Sequence, residues 1–216
     1  EMDVSIQDIP EGLLSEYLLA SAYLVGFKNE KLHGETYIDG GFVNNVPTNS
    51  LIQRGYENLI QIRIYGPGRN PRVKLTENTM LYEIAPSVKL GSIIEFDSKR
   101  SRNNMKIGYF DAKRMIYGLG GRIYYIEQTR EEWYYEKILK ELSEIEKAEI
   151  AFILRLSLGY TDMEFYLAML EASAKLLCVP KYRIYKIQEL EKAAAVRYEK
   201  LEDKMHLPGF VHILMH

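Results

Sequence analysis

The pattern of apolar and polar positions changes character near residue 130. Before it, short β-rich runs alternate with helical ones, and most of the Gly and Pro residues lie there. After it, apolar side chains recur at near-heptad spacing in three sets: Tyr135, Ile138, Leu142, Ile145 and Phe152; Met163, Leu167, Leu170, Ala174 and Leu177; Ile187, Leu190, Ala194, Leu201 and Met205. Spacings of three and four put such residues on one helix face. Glu149 interrupts the first seam, and Pro180 and Pro208 break the run. The pattern predicts an α/β region over 1–130 and an extension of three helices over 131–216, either bundled or draped on the first region.

Within the first region, Leu13, Leu14, Tyr17, Leu18 and Ala22 predict a helix opened by Pro10 and Glu11, since Pro suits a first helical position. A loop from Gly26 to Gly34 leads to a short strand, Thr36-Tyr37-Ile38, which stops at Asp39-Gly40-Gly41. Paired glycines serve backbone angles that other residues avoid. Thr48 is placed to cap a helix over Asn49 to Arg54, ended by Gly55. Leu59 to Tyr65 reads as a second strand, ended by Gly66-Pro67-Gly68. Strand, helix and strand in about thirty residues make a βαβ unit, whose strands run parallel through a right-handed crossover. Further on come a helix from Ser87 to Asn103 with Ile93, Ile94 and Phe96 apolar, a helix from Phe110 to Ile116, a turn at Gly118 to Gly121 and a strand, Ile123 to Ile126.

Composition narrows the functional classes. Charged residues are 27% of the chain with a net charge of −2, so nothing pulls it globally toward nucleic acid. Cys178, the one cysteine, excludes an internal disulfide and a cysteine-rich zinc site. No apolar run reaches the length of a membrane-spanning helix. The expectation is a soluble protein, cytoplasmic before other compartments. The chain opens on Glu1 with structured-looking sequence at once, which suggests that Glu1 is not the natural first residue.

The informative element runs from Tyr37 to Pro47, Tyr-Ile-Asp-Gly-Gly-Phe-Val-Asn-Asn-Val-Pro. A βαβ reading puts Asp39 just past the carboxyl end of a parallel strand, where open α/β sheets carry ligand and catalytic groups. A carboxylate there can take a proton from a nucleophile within hydrogen-bond reach. Asp-Gly-Gly after a strand is also a common plain turn, because Asp bonds its own backbone.

This segment resembles the second active-site block of the patatin-like phospholipase family, in which an Asp-Gly-Gly or Asp-Gly-Ala aspartate pairs with a serine. Leu19-Ala20-Ser21-Ala22 with Gly26-Phe27 is similar to the family's Ala-Ser block, although Leu24-Val25 stands where members often carry a proline. Asn44-Asn45-x-Pro47 resembles the stretch after the aspartate. Gly108-Tyr109-Phe110-Asp111, ahead of Gly118-Leu119, resembles the closing helix. The four blocks occur in family order over roughly residues 5–127.

The family's nucleophile lies in Gly-x-Ser-x-Gly at a tight strand-to-helix turn. No serine here has that setting, and the glycine-rich oxyanion loop that precedes the nucleophile in the family is missing too. The resemblance therefore implies the carboxyl-terminal half of a three-layer α/β/α domain with a helical extension. Asp39 would be the general base of a Ser-Asp dyad, Gly40 and Gly41 would shape its loop, and Asn44 and Asn45 would orient it. The substrate implied is a lipid ester, with no cofactor and no metal. The serine would come from an amino-terminal piece, and 1–216 alone would not catalyse. Half of a parallel sheet leaves an open edge and a bare apolar face, to be covered by that piece, by a homodimer or by the helical tail. The alternative is a non-catalytic binding or assembly module whose helical tail docks a partner helix or a membrane surface.

Other candidates read as structure. Gly118-Leu119-Gly120-Gly121-Arg122 follows a helix and feeds a strand, so it reads as a turn. Gly66-Pro67-Gly68-Arg69 lacks a phosphate-loop ending and reads as a solvent loop. His212 and His216, four apart, would suit a metal only with a third ligand such as His206 and read as a frayed terminus; His33 stands alone. Cys178 reads as core filling in an apolar helix. Lys99, Arg100, Arg102, Lys106, Lys113 and Arg114 read as a solvated helix face that could also meet acidic headgroups peripherally.

Overall fold

A computed structural model describes residues 2–24, 26, 30–92, 94–128 and 130–215, less the Ile138 side chain. Val25, Phe27, Ile93 and His216, named above, lie outside the described residues. The chain is mixed α/β. It divides into two compact units, Glu1–Ala85 with Gly91–Ile94, and Pro86–Leu90 with Glu95–His216. This division falls earlier than residue 130.

In the first unit, Gly12 at φ +84° keeps the chain out of a helix until α1, Leu14–Ala20, which starts later than Pro10. A single turn, α2, covers Gly41–Asn44, and α3 covers Thr48–Gln53. Thr48 is the first residue of α3 and not its cap. Its hydroxyl donates to Gln61 Oε1 at 2.7 Å, and Gln61 Nε2 reaches Glu83 at 2.7 Å. Those bonds tie α3 to β1, Asn58–Ile62, and β1 to β2, Met80–Ile84.

β1 and β2 pair in parallel, Asn58 opposite Met80 through Ile62 opposite Ile84. The expected strand over Thr36–Ile38 does not form, so β1 has β2 as its parallel partner and the anticipated βαβ unit lacks its first strand. β2 escaped the sequence pattern. Along β1 the covered positions are Leu59 and Gln61, while Ile60 and Ile62 are 67% and 69% exposed. Opposite Ile60 stands Tyr82, also exposed. One face of this parallel sheet is therefore apolar and open, whereas parallel sheets are normally covered on both faces.

In the second unit, α4 is one helix, Ser98–Tyr117, where the sequence suggested two. Asp97 caps its first turn, accepting from the Arg100 N–H, and Gly118 ends it in the left-handed region. β3, Tyr125–Glu127, pairs in parallel with β4, Ile184–Lys186. That pairing joins the strand after α4 to the helical tail, which explains why the units do not divide at 130. Among the described residues the tail holds five helices, not three: α5 Glu132–Leu139, α6 Glu144–Ile153, α7 Asp162–Leu176, α8 Ile187–Glu199 and α9 Gly209–Met215. Capping boxes open α6 and α7, Ser143 with Glu146 and Thr161 with Glu164. The break at Ser143 resets the helix face, so Ile145 and Phe152 point outward while Ile150 and Ala151 are buried. Leu201 and Met205 lie beyond α8. α7 is central and packs on α5, α8 and α9 through Phe165, Leu170 and Ala174, all buried. No described helix is long and apolar enough to cross a membrane.

Tyrosine is the characteristic packing residue. Tyr124 and Tyr125 are almost wholly enclosed, and their hydroxyls donate to Val179 O at 2.9 Å and Asp111 Oδ1 at 3.0 Å. Burial, first among the causes, pushes both phenols up to about 12. An unfolded tyrosine ionises near pH 10, so each phenol favours the fold fully below pH ~10. That contribution, about 2–3 kcal/mol per tyrosine, is lost as pH rises from about 10 to about 12. We expect these two phenols to ionise late, as do Tyr134, Tyr135, Tyr166 and Tyr185, which burial also raises, together with loss of the helical circular-dichroism signal. Completion of tyrosine ionisation near pH 10 with helices intact would contradict it.

Candidate functional site

Asp39 sits at the end of an extended run and at the mouth of α2. Its position is fixed by backbone bonds to the segment leaving α1. The Asp39 N–H donates to Tyr23 O at 2.8 Å, and the Gly40 N–H to Ser21 O at 3.1 Å. The Ala-Ser segment and the Asp-Gly-Gly segment, separate in sequence, are thus zipped together. Asp39 Oδ1 accepts from the Gly41 N–H at 2.7 Å, and its carbonyl accepts from the Phe42 N–H at 3.1 Å. This is an Asx turn that starts a helical turn. Oδ2 has no hydrogen bond or ion pair among the described residues, and the side chain is half-buried.

The glycines work otherwise than their pairing suggested. Gly40 has φ −58° and ψ −25°, ordinary helical values, and Gly41 lies within α2. Neither needs a special backbone angle. What Gly41 provides is closeness: a Cβ there would sit 3.0 Å from both Asp39 Oδ1 and Asn45 Oδ1. Its lack of a side chain lets the carboxylate lie against the turn.

The loop Gly66-Pro67-Gly68-Arg69 is not a free solvent loop. Asn45 N–H donates to Arg69 O at 2.8 Å, and Arg69 N–H to Gly41 O at 3.0 Å. Gly68 has φ +133°, and a Cβ on it would stand 2.2 Å from Gly41 O. Only glycine allows this approach, so Gly68 and Arg69 brace the aspartate turn from outside. Asn44 holds the turn through its backbone, donating to Gly40 O at 2.8 Å. Of the expected site residues, Asp39, Gly40, Gly41, Asn44 and Asn45 form one local cluster. Gly68 and Arg69 belong to it and were missed, because only a long-range contact reveals them.

The remaining candidates resolve in the second unit. Asp111, in the block that resembles a closing helix, is buried on α4. It accepts from the Ser87 N–H at 2.7 Å, the Tyr125 hydroxyl and Arg114 at 3.0 Å. Arg114 also donates to Tyr124 O and lies over the Tyr125 ring, while Lys113 lies over the Tyr109 ring. The basic run on α4 is therefore not one free patch. Gly118 ends α4, Gly120 bridges Ile126, and the residues that follow Gly121 are held by one the sequence did not single out: Glu171 on α7. Its carboxylate accepts from the Arg122, Ile123 and Tyr124 N–H groups at 2.8, 2.8 and 2.6 Å. Cys178 is exposed at φ +56°, beyond the end of α7, and is not core. His212 Nδ1 bonds the Tyr198 hydroxyl at 2.8 Å, and His206 lies near Asp203. No cluster of three metal-ligating side chains occurs among the described residues.

Comparison with known protein families, curated proteins and solved structures finds no match to this chain.

Proposed function

We propose that the chain carries the carboxyl-terminal portion of a three-layer patatin-like α/β/α domain with a helical extension, and that it supplies the aspartate of a Ser-Asp acyl hydrolase. The observation that carries this reading is the Asp39 turn. One carboxylate oxygen is pinned by the Gly41 N–H and the other has no partner among the described residues, as a positioned base requires. The bare face of β1 and β2, with Ile60, Ile62 and Tyr82 outward, supports a neighbour supplied by other sequence.

In this mechanism a serine from the amino-terminal piece attacks the ester carbonyl and forms the new C–O bond. Asp39 takes the hydroxyl proton as it does so. The tetrahedral intermediate collapses, and Asp39 returns the proton to the departing alcohol. It then deprotonates a water that attacks the acyl-serine, and returns that proton to the serine oxygen as the carbon–serine bond breaks and the acid leaves. Backbone donors near the serine would hold the oxyanion. The substrate class is a lipid ester.

The test uses a fluorophosphonate, which marks activated serines covalently. We expect no label on residues 1–216 alone and a label on a polypeptide carrying Gly-x-Ser-x-Gly when the two are combined. An unlabelled combined sample with both pieces folded would overturn the assignment and leave the binding-module reading.

A further inference from the structure

The second unit holds a cavity of about 300 Å³ whose polar lining is Ser87, Arg122, Lys175 and Lys181, with Tyr124 and Val179 among its apolar walls. That volume is at the low end for small-molecule sites, which suits a compact headgroup rather than an acyl chain. Arg122, Lys175 and Lys181 make no ion pair among the described residues; Lys181 Nζ lies 5.6 Å from the Tyr182 ring centre.

The nearby carboxylates are already committed. Asp111 is bonded to Ser87, Arg114 and Tyr125, and Glu171 to three backbone N–H groups. Both act on Lys181 through space, as do Arg114 and Lys175. Arg114, Arg122, Lys175 and Lys181 set against Asp111 and Glu171 leave a local surplus of two positive charges. Ser87 Oγ is buried beside the Tyr125 hydroxyl, behind the cavity wall. Burial lowers the Lys181 pKa, so an anion in the cavity would restore charge balance to a partly desolvated ammonium.

We propose that this cavity binds a phosphomonoester group, free or as a lipid headgroup. Such a group carries nearly two negative charges and three strong acceptor oxygens, which match the surplus charge and the basic lining. Lys181 provides the inner cation, and Arg122 and Lys175 close the rim. The site lies within one unit and does not depend on the role of Asp39.

Isothermal titration at fixed ionic strength with inorganic phosphate and with glycerol phosphate tests this. Saturable binding of either is expected. Because Arg122 and Lys175 are exposed, Lys175→Gln and Arg122→Gln will keep the fold, and each should weaken binding about tenfold, the scale of one charge-assisted hydrogen bond. Lys99→Gln on α4 is the control for diffuse charge and should change nothing. Vesicles of phosphatidylcholine with and without phosphatidic acid separate the sources. Sedimentation of wild type, but not of the Lys175→Gln/Arg122→Gln double variant, with phosphatidic acid supports a lipid headgroup. Phosphate binding without sedimentation supports a free phosphomonoester. Absence of saturable binding, or equal weakening by Lys99→Gln, overturns the proposal.

Discussion

Asp39→Asn, in the chain combined with a serine-bearing amino-terminal piece, should lower acyl-ester turnover by about 10²–10⁴-fold, the range over which a positioned general base acts. The substitution is well suited to the question. Asn keeps an oxygen that can accept the Gly41 N–H, so the Asx turn at 2.7 Å survives. What it removes is basicity at the other oxygen, which has no structural duty among the described residues. Fold and turnover are thereby separated: circular dichroism and melting should be unchanged while the rate collapses. Fluorophosphonate labelling should slow in parallel, because an unactivated hydroxyl is a weak nucleophile. Wild-type turnover in a folded Asp39→Asn protein would remove Asp39 from the chemistry and reduce its turn to a structural one.

The aspartate turn was legible because residue types alone specify it. Asp bonds its own backbone two residues on, and glycine follows where the carboxylate must lie close. The reason for Gly41 was not legible: a free backbone angle and a close approach leave the same letter in the sequence. Gly68 shows the limit more plainly, since its clash partner, Gly41 O, belongs to another loop. The strand over Thr36–Ile38 was read from β-prone types. Strands need neighbours as well as propensity, and the donors at its end go instead to Tyr23 and Ser21. β2 escaped because Met80-Leu81-Tyr82-Glu83-Ile84 has no clean alternation. In the tail, the near-heptad seams ran across real breaks. The first ran across Ser143, which with Glu146 spells out a capping box, and the third ran past the end of α8 at Glu199. α7 ends at Leu176, and Cys178, in the left-handed region just beyond it, falls outside the core. Where the signal was local it could be read; where it was a contact between distant segments it could not.

Glu171→Met should destabilise the second unit by about 3–5 kcal/mol, the largest stability effect expected from one side chain here. The size follows from what is left behind. Met fills a similar volume on α7 but offers no acceptor to the Arg122, Ile123 and Tyr124 N–H groups, and each buried donor without a partner costs about 1–3 kcal/mol. Glu171→Gln should cost less, about 2 kcal/mol, since its carbonyl still accepts while its amide faces a donor. The gap between wild type and Glu171→Gln should also depend on pH. Burial raises the Glu171 pKa, and the three backbone N–H groups offset that only in part. The folded state therefore holds its proton to higher pH than the unfolded chain does, and wild-type stability falls as pH climbs from the ordinary glutamate range through the raised native value. The amide variant lacks this fall, so its deficit should narrow over that window and stay constant above it. Urea denaturation of the three proteins across mildly acidic to neutral pH measures both effects. A Glu171→Met protein as stable as wild type would show that water satisfies the turn's donors. A gap that widens with pH would show that the three N–H groups outweigh burial and hold the carboxylate below its usual range.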